Sequence, residues 1–320
     1  MSIKNIFSLQ YKLATILLLA SLGNNSVLAQ SVLESAEVYK LRNQVELSRQ
    51  NRPVWNRAKL GDNLAPQDAL RTGANSRAEL LFNEGTLVRT GAGTIFRFAP
   101  GKRSFELDSG SALVIIRPGQ GESNIITPEA KVVSQGTALF IQHDPQRNSS
   151  LIGVLTSSNV SPVKVSNLDG EVTIELSAGE FVSIINGAIG LVEHFILPMF
   201  YENVELAAGL GVGQENLMAQ ESPEVQETLN LVRVEALEPL KNQAAWLKGF
   251  CRFNINPDQL SPLLQWLGFG VPGEQILLKL PETDLFVTPM RSLTGLAWLG
   301  SYCQAQQSFE QAEPEKNVTK

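Results

Sequence analysis

Gly61-Asp62-Asn63-Leu64, Leu70-Arg71-Thr72-Gly73, Ser76-Arg77-Ala78-Glu79-Leu80, Gly85-Thr86 and Arg89-Thr90-Gly91 follow one another within residues 61–91. Short apolar runs alternate there with Gly, Asp, Asn and Thr, which is the sequence pattern of strands joined by tight turns. Alternation is clearest at 77–82 and 86–88. Working outward, 94–98, 104–107 and 111–116 repeat it, with turns expected at Ala99-Pro100-Gly101, Asp108-Ser109-Gly110 and Pro118-Gly119-Gln120-Gly121. The stretches 131–133, 138–141, 151–155, 162–165, 172–176 and 181–185 continue the series. Upstream, apolar residues at 39, 41, 45 and 47 keep one parity, and Asn43 interrupts them. A dozen or more short strands with such spacing predict a mainly β sandwich or roll over residues 31–192, not βαβ units. Glycines such as Gly85, Gly110, Gly136 and Gly179 are expected at turns, where a positive φ costs Gly little. Thr72, Thr90 and Thr137 suit strand ends, where a hydroxyl can bond neighbouring backbone.

A second stretch carries Thr127-Pro128-Glu129-Ala130-Lys131-Val132, Gly136-Thr137-Ala138 and Ser177-Ala178-Gly179-Glu180. In that order and spacing the two stretches resemble the FecR domain, a bacterial extracytoplasmic module. The resemblance covers residues 31–192 and implies a regulatory or binding role without catalysis. Members relay an outside signal to a sigma factor through a cytoplasmic segment and one membrane span. Here about twelve residues precede the first apolar run, so only the extracytoplasmic module carries over. The motif residues themselves are expected to build the fold.

Residues 1–29 read as a signal peptide. Lys4 and Lys12 give a basic start, 13–22 are apolar, and Val27-Leu28-Ala29 offers small residues for cleavage before Gln30. The apolar run is about half the roughly twenty residues needed to span a bilayer, although retention as an anchor is the alternative. No Cys stands near the cleavage site, which argues against a lipid anchor. Lys4 and Lys12 leave with the segment, so 26 basic residues fall to 24 against 32 acidic, and the net charge moves from −6 to −8. That charge, with no basic cluster interleaved with aromatics, excludes nucleic acid as a partner. Arg97, Lys102 and Arg103 are read as a solvated hairpin. The protein is expected to be exported, periplasmic or extracellular, with no membrane span after cleavage.

Residues 193–223, with Gly209, Gly211 and Gly213, read as a connecting segment and flexible linker. Ser222 and Pro223 then suit a helix start. Apolar residues at 225, 229, 232, 237, 240, 244 and 247 fit helical spacing, with Pro239 expected to kink or divide the helix. A helical or mixed C-terminal domain is assigned to 224–303, and a polar, disordered tail to 304–320. In an exported chain Cys251 and Cys303 are disulfide candidates. Closing a loop of about fifty residues would stabilise that domain by roughly 3–4.5 kcal/mol in the chain-entropy picture. Two buried free thiols are the alternative. Trp246, Trp266 and Trp298 form either a core or a surface for a partner or glycan.

Residues for catalysis are sparse. His143, in an expected His-Asp-Pro turn, and His194 have no Ser or Cys nucleophile placed against them, and cannot alone supply three zinc ligands. Neither a nucleophile elbow nor a phosphate loop is present. Glu106 and Asp108 fit acidic residues on a solvated sheet better than a glycosidase pair. The sequence therefore predicts a non-enzyme without cofactor, binding an envelope protein or another envelope component in a sensory or structural role. The alternatives are a glycan- or cell-wall-binding module and a membrane-anchored signalling regulator.

Overall fold

The computed structural model describes residues 32–99, 103–156, 158 and 161–251. The expected leader, residues 252–303 with Trp266, Trp298 and Cys303, and the tail lie outside them, as do the side chains of Trp246 and Cys251.

Eighteen strands occupy the described chain up to residue 194. They are β1 Ala36–Arg42, β2 Val45–Ser48, β3 Trp55–Arg57, β4 Asn63–Leu64, β5 Ala69–Thr72 and β6 Arg77–Phe82. Next come β7 Leu87–Thr90, β8 Ile95–Ala99, β9 Ser104–Ile115, β10 Ser123–Ile126, β11 Lys131–Ser134 and β12 Ala138–Asp144. The last are β13 Ser149–Val154, β14 Val163–Ser166, β15 Thr173–Leu176, β16 Glu180–Ile185, β17 Ala188–Ile189 and β18 Glu193–His194. One sheet runs β4-β1-β6-β7-β9-β12-β13-β16, closed at its far edge by β17 and β18. The other runs β3-β2-β5-β8-β9-β10-β11-β14-β15, and only its β9–β10 pair is parallel.

β9 belongs to both sheets and corrects the expected turn at Asp108-Ser109-Gly110. Its first half pairs with β8, and from Gly110 onward it pairs with β12. The chain bends there instead of reversing, because Gly110 adopts φ +79° and packs where a Cβ would lie 2.5 Å from the Thr94 Cα. A bend with an offset register of this kind is how one strand serves two sheets.

The inner faces enclose a core that includes Val38, Leu80, Phe82, Phe96, Phe98, Phe105, Val114, Ile141 and Val165. Phe82 meets Phe98 and Phe105 edge to face at 5.2 and 5.0 Å. The first sheet is buried on its other face as well. Leu87, Leu113, Ile115, Phe140, Leu151 and Phe181 point there, which is why 113–116, 138–141 and 151–154 read as continuous apolar runs.

Residues 195–251 cover that second face, correcting the flexible linker expected at 193–223. α1 Leu197–Asn203, a 3₁₀ turn Glu205–Ala207, α2 Glu215–Met218 and α3 Pro223–Cys251 form the layer. Phe195, Leu197, Phe200, Tyr201, Leu206 and Leu210 pack under it with Val225, Leu229, Val232 and Leu247. Gly209 and Gly211 serve a tight corner, where their N–H groups donate to Gln214 Oε1 at 2.9 and 3.2 Å. α3 starts as expected, with Val225 N donating to Ser222 Oγ at 3.4 Å, but it continues through Pro239 undivided.

Arg103 also departs from expectation. Only 1% exposed, it donates from Nε to Ser123 Oγ at 3.1 Å and pairs with Glu84 Oε1 at 3.3 Å. Desolvation pulls its guanidinium pKa down, and the Glu84 charge opposes that shift.

Candidate interaction surface

The motif residues turn inward to backbone. Thr72 Oγ1 donates to Gly91 O at 2.6 Å and accepts from Thr94 N at 2.9 Å, while Thr94 Oγ1 accepts from Ser111 N at 3.1 Å. Thr127 Oγ1 accepts from Ala130 N at 3.0 Å, fixing the Thr-Pro-Glu-Ala turn. Thr137 Oγ1 donates to Thr156 O at 2.6 Å. These hydroxyls hold strand ends and corners that would otherwise bury unpaired backbone groups. They leave no cluster facing solvent for a ligand.

Arg89 does more than build the sheet. Only 3% exposed, its guanidinium pairs through Nε with Glu79 Oε2 at 3.2 Å and through Nη2 with Glu221 Oε1 at 3.6 Å. Nη1 donates to Leu206 O and Ala208 O at 3.0 and 2.5 Å, so a cation caps the carbonyl end of the 3₁₀ turn. Tyr39 OH donates to Glu221 Oε2 at 3.0 Å and accepts from Ser222 N at 2.8 Å, and Lys40 Nζ closes the cluster on Glu221 at 2.5 Å. Sheet and helical layer are thus joined by a polar clasp beside an apolar interface. Thr228 Oγ1 to Gly85 O at 2.8 Å and Tyr201 OH to Leu155 O at 3.1 Å add further ties. Gln243 bonds both Leu197 N and Phe195 O, at 2.8 and 2.7 Å.

His143 lies in β12, buried, where the sequence suggested a turn. Its Nδ1 is 3.0 Å from Ser150 Oγ, which donates to Thr127 Oγ1 at 2.8 Å, so it is a satisfied structural residue. Desolvation lowers its pKa, against the raising effects of Glu129, Asp144 and Asp108. His194 is exposed at the β18 edge. Asp108 pairs with Arg97 at 2.6 Å on the outer face of the second sheet. Glu235 is half-buried on α3 near Thr156 Oγ1 at 3.5 Å, and burial pushes its carboxyl up to about 7. Among the described residues no group of three or more His, Cys, Asp or Glu is placed to hold a metal, and no helix is long and apolar enough to cross a membrane.

Two features of this surface escaped the sequence reading: the clasp around Arg89, and the outward residues Leu231, Val234 and Leu237 of α3, all exposed. The second has a signal in their spacing of three, but Leu237 was grouped with Val225, Leu229 and Val232 as one helical apolar series.

Residues 68–158, from the turn before β5 to just beyond β13, match the family described as FecR protein. That part of the chain is a FecR domain. The matched residues form the middle of both sheets. No curated protein matches the chain. Two crystal structures of a candidate anti-sigma factor from Parabacteroides distasonis, at 1.65 and 2.50 Å, are similar to it at 20% and 19% identity. Their TM-scores are 0.35 and 0.34, and the match covers 39% of this chain and 59% of theirs.

Proposed function

We propose that this FecR-domain protein is exported and works by binding, with a protein partner or another envelope component as its ligand, in a sensory or structural role. The FecR match over residues 68–158 carries this reading. The inward use of the motif hydroxyls supports it, since recognition is then left to the outer surfaces of the sandwich. The leader-like residues 1–29 support export.

The test passes purified protein, as a tagged full chain processed by its own host, over solubilised envelope proteins and, separately, over isolated cell-wall polysaccharide. One saturable protein partner, confirmed with both components purified, is the expected result. Saturable binding to polysaccharide alone would replace the protein-partner reading with the glycan-binding one. Saturation of neither would overturn the proposal.

A further inference from the structure

β15 ends the second sheet: it pairs with β14 on one side, and among the described residues no strand lies beyond it. The register shows which backbone groups are left over. Asn167 N donates to Val172 O at 3.3 Å, so in this hairpin Val165–Ile174 and Val163–Leu176 are the hydrogen-bonded pairs. Thr173 and Glu175 belong to the alternate pairs, and their N–H and C=O groups point away from β14. Two donors and two acceptors therefore face outward at the spacing that another strand requires.

The side chains around this edge are equally specific. Ile174 is half-buried against the core, with Val172 47% and Leu168 58% exposed beside it at the hairpin tip. Asp169, Glu171 and Glu175 are exposed carboxylates on the same hairpin, against Lys164 one strand further in. Edge strands are commonly protected by a bulge, a proline or a lysine of their own. Thr173-Ile174-Glu175-Leu176 has none of these.

We infer that β15 receives an extended segment of a partner protein as an added strand, one that alternates apolar residues with Lys or Arg. The apolar residues cover the open flank of half-buried Ile174, next to buried Leu176, and the basic ones lie beside Glu175 and Glu171 on the outer face. Main-chain bonds to Thr173 and Glu175 supply register, and the charge pattern selects the segment. This rests on the binding role proposed above and names the place and chemistry of recognition.

The test pans a random twelve-residue peptide display library against the full chain and measures the enriched peptides by fluorescence anisotropy. Enriched sequences should alternate apolar and basic residues. Two variants are compared. Thr173→Pro removes only an outward N–H, a position where edge strands tolerate proline. Glu175→Lys reverses an exposed charge without touching the core. Each should weaken binding at least about tenfold, and the wild-type affinity should fall as salt is raised. Circular dichroism melts confirm that both variants fold, and Glu175→Lys keeps the test decisive if Thr173→Pro does not. Peptides that bind both variants as well as wild type would overturn the inference, as would no enrichment. So would a wild-type dimer that Glu175→Lys dissociates, because the occupant would then be a second copy of this chain. If an envelope partner binds wild type and both variants equally, the binding role stands and the β15 assignment fails.

Discussion

Replacing Arg89 by Met retains the unbranched apolar stem of the side chain and removes the cation at the centre of the clasp. Glu79 then loses its buried partner, Glu221 keeps only Lys40 and Tyr39, and the carbonyls of Leu206 and Ala208 lose their donor. Breaking a buried ion pair by removing one partner costs about 3–5 kcal/mol, because a charge remains where water cannot reach it. Lys40 relieves part of that on Glu221, so a loss near 3 kcal/mol is expected. Urea unfolding at pH 7, followed by circular dichroism, measures it as a lower midpoint at unchanged slope. Glu79→Gln in the Arg89→Met background should return about 1 kcal/mol or more, a coupling that a double-mutant cycle isolates. Amide exchange over residues 205–222 should accelerate more than exchange in β12. A loss below about 0.5 kcal/mol, or exchange that rises equally everywhere, would refute the idea that Arg89 holds the helical layer to the sheet.

Glu235→Gln tests the half-buried carboxyl. Its folded pKa, raised to about 7, makes ionisation costly, so its contribution to stability is intact below about pH 4.5 and lost as pH rises through 7. The full shift corresponds to about 3 kcal/mol, and partial solvent screening reduces it, so the Gln variant should gain about 1 kcal/mol at pH 8.5 and nothing at pH 4.5. Equal gains at both pH values would contradict this. His143 works in the opposite direction: with its folded pKa lowered, its contribution is present above about 6.5 and lost as pH falls below that. His143→Asn should flatten the decline in stability between pH 7 and 5, and an unchanged decline would assign it elsewhere. Gly110→Ala should cost about 2–3 kcal/mol, since a positive φ and a backbone neighbour 2.5 Å from the new Cβ act together. Gly119→Ala, with a positive φ but nothing within 4 Å, should cost about 1 kcal/mol, and equal thermal shifts would show that the Thr94 contact is unimportant. Phe200→Ala, which removes the ring packed at 5.5 Å from both Phe140 and Phe195, should lower stability by about 3–5 kcal/mol in the same urea assay.

The sandwich was legible because its turns are written in glycine and its strands alternate. Residues 77–82 show this directly, with Ala78, Leu80 and Phe82 inward. β9 was divided in two because Asp-Ser-Gly marks a turn chemically, whereas the offset between two sheets is a long-range property. The helical layer was misread for a related reason. α1 and α2 have seven and four residues, too few for helical periodicity to register, and Gly209, Gly211 and Gly213 resemble a flexible tether until the surrounding Leu206 and Leu210 are seen to be buried. Yet a signal existed: runs such as Ala138-Leu139-Phe140-Ile141 are apolar at both parities, and a sheet buried on both faces needs a second layer. Arg103 was read as a solvated charge and Arg89 only as part of a fold-building motif, because their partners Glu84 and Glu221 are fixed only by the fold. The clasp spans 132 positions between Arg89 and Glu221, a pairing that no local pattern encodes.

Export and binding meet in one experiment. The tagged chain is expressed in its own host, treated with a membrane-permeant crosslinker and fractionated. N-terminal mass spectrometry and identification of crosslinked companions are then made on the same sample. The account predicts a species beginning at Gln30 in the periplasmic or extracellular fraction, joined to one dominant envelope partner. A species that begins at Met1 and stays in the membrane, or a processed species with no specific companion, would contradict it.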